Sequence, residues 1–311
     1  MRVIVPDYYK EFSCIADRCR HSCCIGWEID IDARSLARYD ALDMPYGEVL
    51  RERIDRAGDS PHYRLGAGER CPFLQENGLC EMILTLGEDA LCQICADHPR
   101  FRNFFSDRTE LGLGLCCEAV GELVLKRTLP MELEVWEDDG VLEEPDEEEE
   151  TLFSFRDMLF AILQDRKYAL DERLGELLTT CSGESIDIHP SRWARKLLEL
   201  ERLDEGWTDL LESLAGQAVF DAPRLHEPRW ELAFEQAAVY FLFRHLPAAL
   251  EDGDVTSKAA FAVLSVNILR ALCAGKTEYT LDDLVEFARM YSGEIEYSEE
   301  NLERVFAWLK A

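Results

Sequence analysis

Cysteines are concentrated in the first part of this chain, in groups that suit the binding of a soft metal. Of its 311 residues 12 are cysteines, and only Cys181 and Cys273 lie beyond position 117. Buried apolar cysteines would be scattered along the whole chain, so the grouping itself indicates a function. The grouped cysteines are Cys14, Cys19, Cys23, Cys24, Cys71, Cys80, Cys92, Cys95, Cys116 and Cys117.

Thiolates in this number favour a closed metal site with about four sulfur ligands. Short spacings let one loop supply two ligands, and ligands from distant groups then close the domain around the metal. The cysteines outnumber the ligands of one such site. Three alternatives stay open: two sites, additional structural thiols, or thiols that serve exchange chemistry.

Both zinc and iron–sulfur clusters accept thiolate ligands. Zinc sites commonly use two C-x2-C pairs, often with histidine, but only Cys92 and Cys95 have that spacing here, with His21 and His98 nearby. An irregular, cysteine-only set therefore favours an iron–sulfur cluster, with zinc as the alternative. Neighbouring residues point in different directions, so one cysteine of each adjacent pair is expected to be a ligand.

Three known motifs for related chemistry are absent from the sequence. The radical C-x3-C-x2-C signature fails because position 26, which follows Cys19 and Cys23, is glycine. A thioredoxin-like site at Cys92 would need a surrounding βαβ pattern. Gly66 and Gly112 begin short glycine-containing turns, but neither opens a βαβ unit of the dinucleotide-binding kind.

Composition excludes several classes of partner. The chain has 33 Lys and Arg against 63 Asp and Glu, a formal net charge of −30, which argues against nucleic acid and would attract cationic groups. The start has no signal-peptide pattern, and the longest apolar run, 259–269, is too short to span a bilayer. We expect a cytoplasmic protein with no membrane contact.

The sequence predicts a mainly α protein in two parts. Residues 1–130 form a cysteine-rich metal-binding domain, and residues 151–311 have the periodicity of an α-helical bundle. Between them, residues 131–150 contain 12 acidic residues and none that is basic. Such a segment repels itself, so we predict an acidic linker and the domain boundary there.

A few local elements are predicted more closely. Helices are expected from Asp32, as a cap, to Tyr39, and from Cys117 to Lys126, with a short strand pair near 27–31. In the second half, Ser191, Thr280 and Ser298 are predicted helix caps, the second with Asp283 as a variant capping box.

Four segments resemble the flagellin lysine-N-methylases of the FliB family. The first half also resembles the broader YkgJ-like cysteine-cluster proteins, described as zinc- or iron-chelating. In the second half, YFLFRHL and the long apolar helix after it resemble the FliB C-terminal region. The four segments are DYYKEFSCIADRCRHSCCIGWEIDID, CPFLQENGLCEM, LCQICADHPRF and CCEAVGELVL.

The resemblance implies an enzyme that transfers a methyl group from S-adenosylmethionine to lysines of flagellin and contains an iron–sulfur cluster, of the 4Fe–4S type. The alternative is a non-catalytic zinc- or iron–sulfur-binding protein with a redox or structural role. Cys116 falls at a position where the resemblance leads us to expect a small residue, so it is a weaker candidate for a metal ligand than the other cysteines. Carried over by position, the metal-binding cysteines are Cys14, Cys19, Cys23, Cys24, Cys71, Cys80, Cys92, Cys95 and Cys117.

The resemblance assigns neither a donor pocket nor a catalytic base. Trp27 could hold a cation on its ring face, and Asp30 and Asp32 could steer a lysine ammonium. Asp32 as a helix cap is the simpler interpretation. His245 could act as a base, although a histidine near a helix end is more often structural.

Overall fold

The computed structural model describes residues 2–58, 60–137, 144–182 and 186–310. The chain forms two compact units: Ser13–Phe101 is one, and Met1–Phe12 with Arg102–Ala311 is the other. These boundaries differ from the predicted division at 131–150, of which residues 138–143 lie outside the described part. The mainly α prediction is confirmed.

Strands and helices are numbered here in chain order. The strands are β1 (Arg2–Pro6), β2 (Ile54–Asp55), β3 (His62–Tyr63), β4 (Arg100–Phe104), β5 (Arg108–Leu113) and β6 (Leu133–Glu137). The first helices are α1 (Ala33–Asp40), α2 (Pro45–Glu52), α3 (Glu81–Leu86), α4 (Gln93–Asp97), α5 (Glu118–Leu125), α6 (Glu147–Leu163) and α7 (Leu170–Ser182). The others are α8 (Pro190–Leu197), α9 (Glu205–Gly216), α10 (Pro228–His245), α11 (Ala249–Asp252), α12 (Val255–Ala274), α13 (Leu281–Tyr291) and α14 (Glu299–Lys310).

A four-stranded sheet has the order β4-β5-β1-β6. Strand β1 pairs in parallel with β5 and antiparallel with β6, so Val3 faces Thr109 on one side and Trp136 on the other. Strand β6 lies inside the segment predicted to be a linker. Its Leu, Val and Trp residues give it strand propensity despite the surrounding acidic residues.

Two long helices form the centre of the helical part. Helix α10 is buried along most of its length, and α12 is buried almost throughout. By length and composition α12 could cross a membrane, but 89% of its apolar window is buried inside the protein. Helix α12 is therefore a core helix, as its apolar pattern predicts.

Charged residues in this core are paired. Glu235 of α10 is fully buried and accepts hydrogen bonds from Arg166 and Arg173, the latter at 2.6 Å. Arg156 of α6 forms a bidentate pair with buried Glu110, at 2.7 and 2.6 Å. Removing one partner would leave an uncompensated buried charge, so these pairs constrain which helices can pack together.

Two of the predicted helix caps are confirmed, and a third helix begins with a different cap from the one predicted. Asp32 caps α1 by accepting from the Ser35 amide, and Thr280 with Asp283 forms a complete capping box at α13, as predicted. The predicted cap Ser191 is wrong: Pro190 is the first residue of α8 and His189 is its cap. Proline favours the first helical position because its missing N–H needs no partner there.

The acidic segment and the predicted strand pair also differ from expectation. Helix α6 begins at Glu147, within the acidic run, and Asp146 caps it. Carboxylates are stabilised near a helix N-terminus, so the acidic run favours a helix start there. Instead of a strand pair near 27–31, the structure has isolated bridges, one of which joins Asp30 to His62.

The Asp283 carboxylate makes a pH-dependent contribution to stability. Burial raises its pKa, but Lys276 and the Thr280 amide and hydroxyl outweigh burial and lower it. A lowered carboxyl pKa stabilises the fold above about pH 4, and this stabilisation is lost as the pH falls through the folded-state pKa. We expect Asp283→Asn to lower the free energy of unfolding at pH 7 by about 0.5–1 kcal/mol.

Urea unfolding at pH 7 and at pH 3.5 tests this expectation. The difference between Asp283→Asn and the unsubstituted chain should shrink at the lower pH. The exposed Asp209 of α9 provides the control, and Asp209→Asn should have little effect at either pH. A deficit for Asp283→Asn that stays equal at both values would contradict the assignment.

Candidate metal centre

Five cysteines share the hydrophobic core of the 13–101 unit, here called the thiol cluster. Two of the five, Cys71 and Cys92, are buried, with 6% and 0% of their surface exposed. The other three are partly buried and pack against the same core, which includes Tyr39, Tyr63 and Phe73. The thiol cluster consists of Cys24, Cys71, Cys80, Cys92 and Cys95.

Short backbone pairings bring the first three of these cysteines together. An antiparallel bridge joins Ile25 to Arg70, and the Cys71 amide donates to the Cys24 carbonyl at 2.8 Å. A second bridge joins Leu74 to Cys80. Three cysteines separated by up to 56 positions in sequence, from 24 to 80, are thus held by hydrogen bonds between loops.

Helix starts place the remaining two. Cys92 is the N-cap residue of α4, and Cys95 lies in that helix. The same helix start is tied to α1, because Asp32 accepts from the Ser35 amide at 2.9 Å and from the Gln93 amide at 2.8 Å. Asp32 therefore fixes the backbone directly after Cys92. Those two amides lower its pKa to about 2, although burial opposes them.

Backbone amides point toward three of the sulfur atoms. Burial raises the pKa of Cys71 to about 12 and raises that of Cys80, while amides two and three residues further on lower both. Cys92 receives the amide of Cys95 in the same way. Hydrogen bonds to a charged sulfur stabilise it, so these amides partly offset the burial that favours the neutral thiols of Cys71 and Cys80.

A hydrogen bond between two thiols lowers the pKa of one partner, and the bond between Cys92 and Cys95 raises the pKa of Cys95. A bond with Cys95 is the largest effect on Cys92 and lowers its pKa to about 7, and a bond with Cys23 lowers that of Cys24 to about 7. In each of these pairs, one cysteine can therefore lose its proton and form a thiolate near neutral pH. The thiolate is the form that binds metals.

The other four predicted cysteines are not members of this hydrophobic core, although Cys23 is hydrogen-bonded to Cys24. Cys14 and Cys23 are exposed, and Cys19 is partly exposed with its thiol 3.3 Å from the His21 carbonyl oxygen. Cys117 belongs to the other compact unit, where it caps α5. The nine-cysteine assignment stays a prediction, and five of its members share this hydrophobic core.

The spacing of the sulfurs bears on the kind of metal. Four thiolates on one zinc ion lie roughly 3.8 Å apart, as tetrahedral Zn–S bonds of about 2.3 Å require. Within the described residues, no three cysteine sulfurs lie within 4.8 Å of one another. As placed here, the sulfurs do not form a closed tetrahedral set, and thiolate donors of this kind are those that both zinc and iron–sulfur clusters use.

A separate set of oxygen and nitrogen donors lies in the same unit. In the described part of the chain, Glu28, Asp30 and His62 are the group of three whose donor atoms lie within 4.8 Å of one another. His62 Nδ1 donates to the Ser60 carbonyl at 3.1 Å, which leaves Nε2 facing Glu28 at 3.4 Å. Asp30 accepts from the Ser60 hydroxyl at 2.7 Å.

The helical part contains a buried polar network that sequence reasoning missed, apart from His245. The His245 imidazole is 2.6 Å from the Glu296 carboxylate, and Tyr240 donates to the same carboxylate at 3.1 Å. Arg244 donates to Tyr240 at 2.9 Å. Glu296 is the last residue of a π-helical turn that follows α13, and such turns often occur at functional sites. Glu296 lies 51 positions from His245, so no local sequence pattern links the two residues.

This network changes the interpretation of His245. The imidazole is 5% exposed, and burial lowers its pKa while the Glu296 carboxylate raises it. Its Nε2 is already engaged by Glu296. His245 is thus held as part of a buried ionic network and does not present a free base at the surface.

Comparison with known proteins assigns the helical region to a family. Residues 187–311 match the FliB lysine N-methylase C-terminal domain. The flagellar biosynthetic protein FliU of Salmonella muenchen is 30% identical over 129 residues, which is 40% of this chain and 76% of that protein. This chain belongs to the FliB family.

Other FliB relatives are matched over a smaller share of their length. The lysine-N-methylases of Salmonella typhimurium and Salmonella choleraesuis are each 30% identical over 129 residues, which is 40% of this chain. The match spans 32% of the length of each relative. No solved structure matches the chain.

The first prediction for the metal centre concerns its ligands. Cys71→Ser and Cys92→Ser should remove at least half of the metal from anaerobically purified protein, because each takes a thiolate from the core cluster. Cys14→Ser should keep nearly all of it, and Cys181→Ser, outside the cysteine-rich unit, is the matched control. The number of metal atoms per chain is measured by inductively coupled plasma mass spectrometry, and circular dichroism checks that each variant is folded. Equal loss from Cys14→Ser and Cys71→Ser would contradict the five-thiol assignment.

A second prediction concerns Asp32. Asp32→Ala removes the acceptor of both the Ser35 and Gln93 amides, so it should cost about 1 kcal/mol of stability and reduce metal content. Asp32→Asn retains one acceptor oxygen, so it should recover part of the lost stability and part of the lost metal content. Exposed Asp43 gives the control variant Asp43→Asn. Full metal content in Asp32→Ala would show that this link does not position Cys92.

Proposed function

We propose that this protein is a lysine N-methyltransferase that acts on flagellin, with S-adenosylmethionine as methyl donor and a cysteine-ligated iron–sulfur cluster. The observation that carries the proposal is the match of residues 187–311 to the FliB lysine N-methylase C-terminal domain. The names of the matched relatives, lysine-N-methylase and flagellar biosynthetic protein FliU, support a flagellar lysine as the acceptor.

The proposed step is a displacement at carbon. The donor supplies an electrophilic methyl group; the lysine nitrogen forms the new N–C bond, and the S–C bond breaks with its electron pair returning to sulfur. The lysine ammonium, with an unperturbed pKa of about 10.4, must first lose its proton to a base or to water. The protein must therefore desolvate the amine and align it with the donor.

Charge supports a lysine-bearing protein as partner. A net charge of −30 creates a long-range field that attracts cationic segments and raises their encounter rate. Within the cysteine-rich unit, Glu28 and Asp30 are exposed carboxylates close enough together to meet one ammonium group. The same field opposes binding to nucleic acid, and a reducing cytoplasm suits so many thiols.

The thiol cluster is the proposed site of the metal group. Cys24, Cys71, Cys80, Cys92 and Cys95 supply more than the four thiolates that an iron–sulfur cluster needs. The irregular, cysteine-only spacing in sequence favours such a cluster over zinc. When bound, the group would cross-link the loops of this unit and could provide electron-transfer chemistry.

A second candidate function is a non-catalytic metal-binding protein. The position of the thiol cluster in a hydrophobic core favours it, since a metal there would stabilise the fold whether or not the protein is an enzyme. In that case the protein would bind metal fully and leave flagellin unchanged. The two candidates are therefore separated by the fate of the lysines.

Intact-mass spectrometry of flagellin tests the proposal. Anaerobically purified protein with S-adenosylmethionine should add mass in steps of one methyl group, and peptide mapping should place it on lysines. Cys92→Ser should lower the yield at least tenfold if the cluster is required, and Cys181→Ser should not. A flagellin with unchanged mass, incubated with fully metal-loaded protein, would favour the non-catalytic alternative.

A further inference from the structure

Two antiparallel segments of the cysteine-rich unit bring an imidazole and two carboxylates together. Residues 28–31 lie beside residues 60–63, and backbone hydrogen bonds of 2.8 and 3.1 Å join the two segments. An antiparallel bridge between them sets Asp30 directly opposite His62. Residues paired in this way across two chain segments have neighbouring side chains. The backbone therefore fixes the separation of the aspartate and the histidine.

The hydrophobic core decides which face of these segments carries the polar groups. Ile29 and Ile31 are buried in that core, with 1% and 4% of their surface exposed. Successive side chains of an extended segment point to opposite faces, and Glu28 and Asp30 are accordingly exposed on the outer face. His62, opposite Asp30, shares that face. Burial of the alternate residues thus holds the three polar side chains side by side.

The distances between these side chains suit the ligands of one metal ion. The donor atoms of Glu28, Asp30 and His62 all lie within 4.8 Å of one another, and His62 Nε2 is 3.4 Å from a Glu28 carboxylate oxygen. Neighbouring ligands with metal bonds of about 2.1 Å lie roughly 3.0–3.4 Å apart in octahedral or tetrahedral geometry. The imidazole and the glutamate therefore already have the separation of adjacent ligands.

Ser60 orients two of the three side chains. Its hydroxyl donates to an Asp30 oxygen at 2.7 Å, and its carbonyl is 3.1 Å from His62 Nδ1. A carbonyl only accepts, so the hydrogen of the neutral imidazole lies on Nδ1 and the lone pair on Nε2 faces the Glu28 carboxylate. Two acceptors that face each other require a proton or a metal ion between them. Metal-binding histidines are commonly fixed by such a bond at the other ring nitrogen.

We propose that Glu28, Asp30 and His62 form a site for one divalent transition-metal ion, separate from the thiol cluster. One imidazole and two carboxylates suit an ion such as Mn²⁺, Fe²⁺ or Zn²⁺. Three protein ligands leave coordination positions for water or for another oxygen or nitrogen ligand. The proposal does not depend on methyl transfer, and a bound ion would take the carboxylates that could otherwise meet an ammonium group.

Binding of Mn²⁺ to the anaerobically purified whole chain tests the site. Mn²⁺ prefers oxygen and nitrogen ligands to thiolates, so it should not compete for the thiol cluster. About 0.5 M salt screens the general attraction of a chain with a net charge of −30. Electron paramagnetic resonance measures free Mn²⁺ and, for the bound ion, its coupling to an imidazole nitrogen. We expect one tightly bound ion per chain that shows this coupling.

Substitution of each ligand should weaken the binding of Mn²⁺ by at least ~10-fold, because loss of a supporting group alone costs roughly 10- to 100-fold. The variants are Glu28→Gln, Asp30→Asn and His62→Gln, and the last should also abolish the nitrogen coupling. The controls are Glu52→Gln, an exposed carboxylate of α2 in the same unit, and His189→Gln, an exposed histidine of the other unit. Both controls should bind as the unsubstituted chain does, and circular dichroism checks that every variant is folded.

Two results would overturn this proposal. Equal affinity in the unsubstituted chain, Asp30→Asn and His62→Gln, or a bound ion without nitrogen coupling, would show that only the acidic surface attracts Mn²⁺. Loss of Mn²⁺ from Cys71→Ser, with Asp30→Asn unaffected, would place the ion at the thiol cluster instead. Neither readout involves flagellin, so failure of the proposed methyl transfer would leave this test unchanged.

Discussion

The placement of thiols inside a hydrophobic core is the constraint on which the cysteine-rich unit depends. Cys71 and Cys92 take up core positions that apolar side chains would otherwise fill, and three more cysteines pack against them. The backbone there consists of short helices, isolated bridges and turns. Such a unit gains little from long secondary structure, so a group that cross-links its loops would stabilise it strongly.

In the larger unit, paired charges have the corresponding role. Glu235 holds Arg166 and Arg173, while Glu296 holds Tyr240 and His245. Each carboxylate is buried and contacts residues distant in sequence, so the helices that carry these groups can pack in few ways. The second of these networks lies within the region shared with the FliB family.

The sequence predicted well where chemistry is local. The Asp32 cap and the box of Thr280 and Asp283 are readable because three or four adjacent residues determine them. Strand β6 was missed because its pairing with β1 connects residues more than 120 positions apart. The sequence also did not show which cysteines share the hydrophobic core. Their spacing suggested a metal site, but only the pairing of the loops places Cys24 against the core and leaves Cys14 exposed.

X-ray absorption at the metal edge of anaerobically purified protein tests whether the thiol cluster holds an iron–sulfur group. We expect a first shell of sulfur only, with a neighbouring metal atom beyond it, as thiolates and sulfides of a polynuclear cluster would give. Cys71→Ser should weaken both signals. A first shell dominated by oxygen and nitrogen, or four sulfurs around a single zinc, would contradict the proposal that the thiol cluster holds an iron–sulfur group.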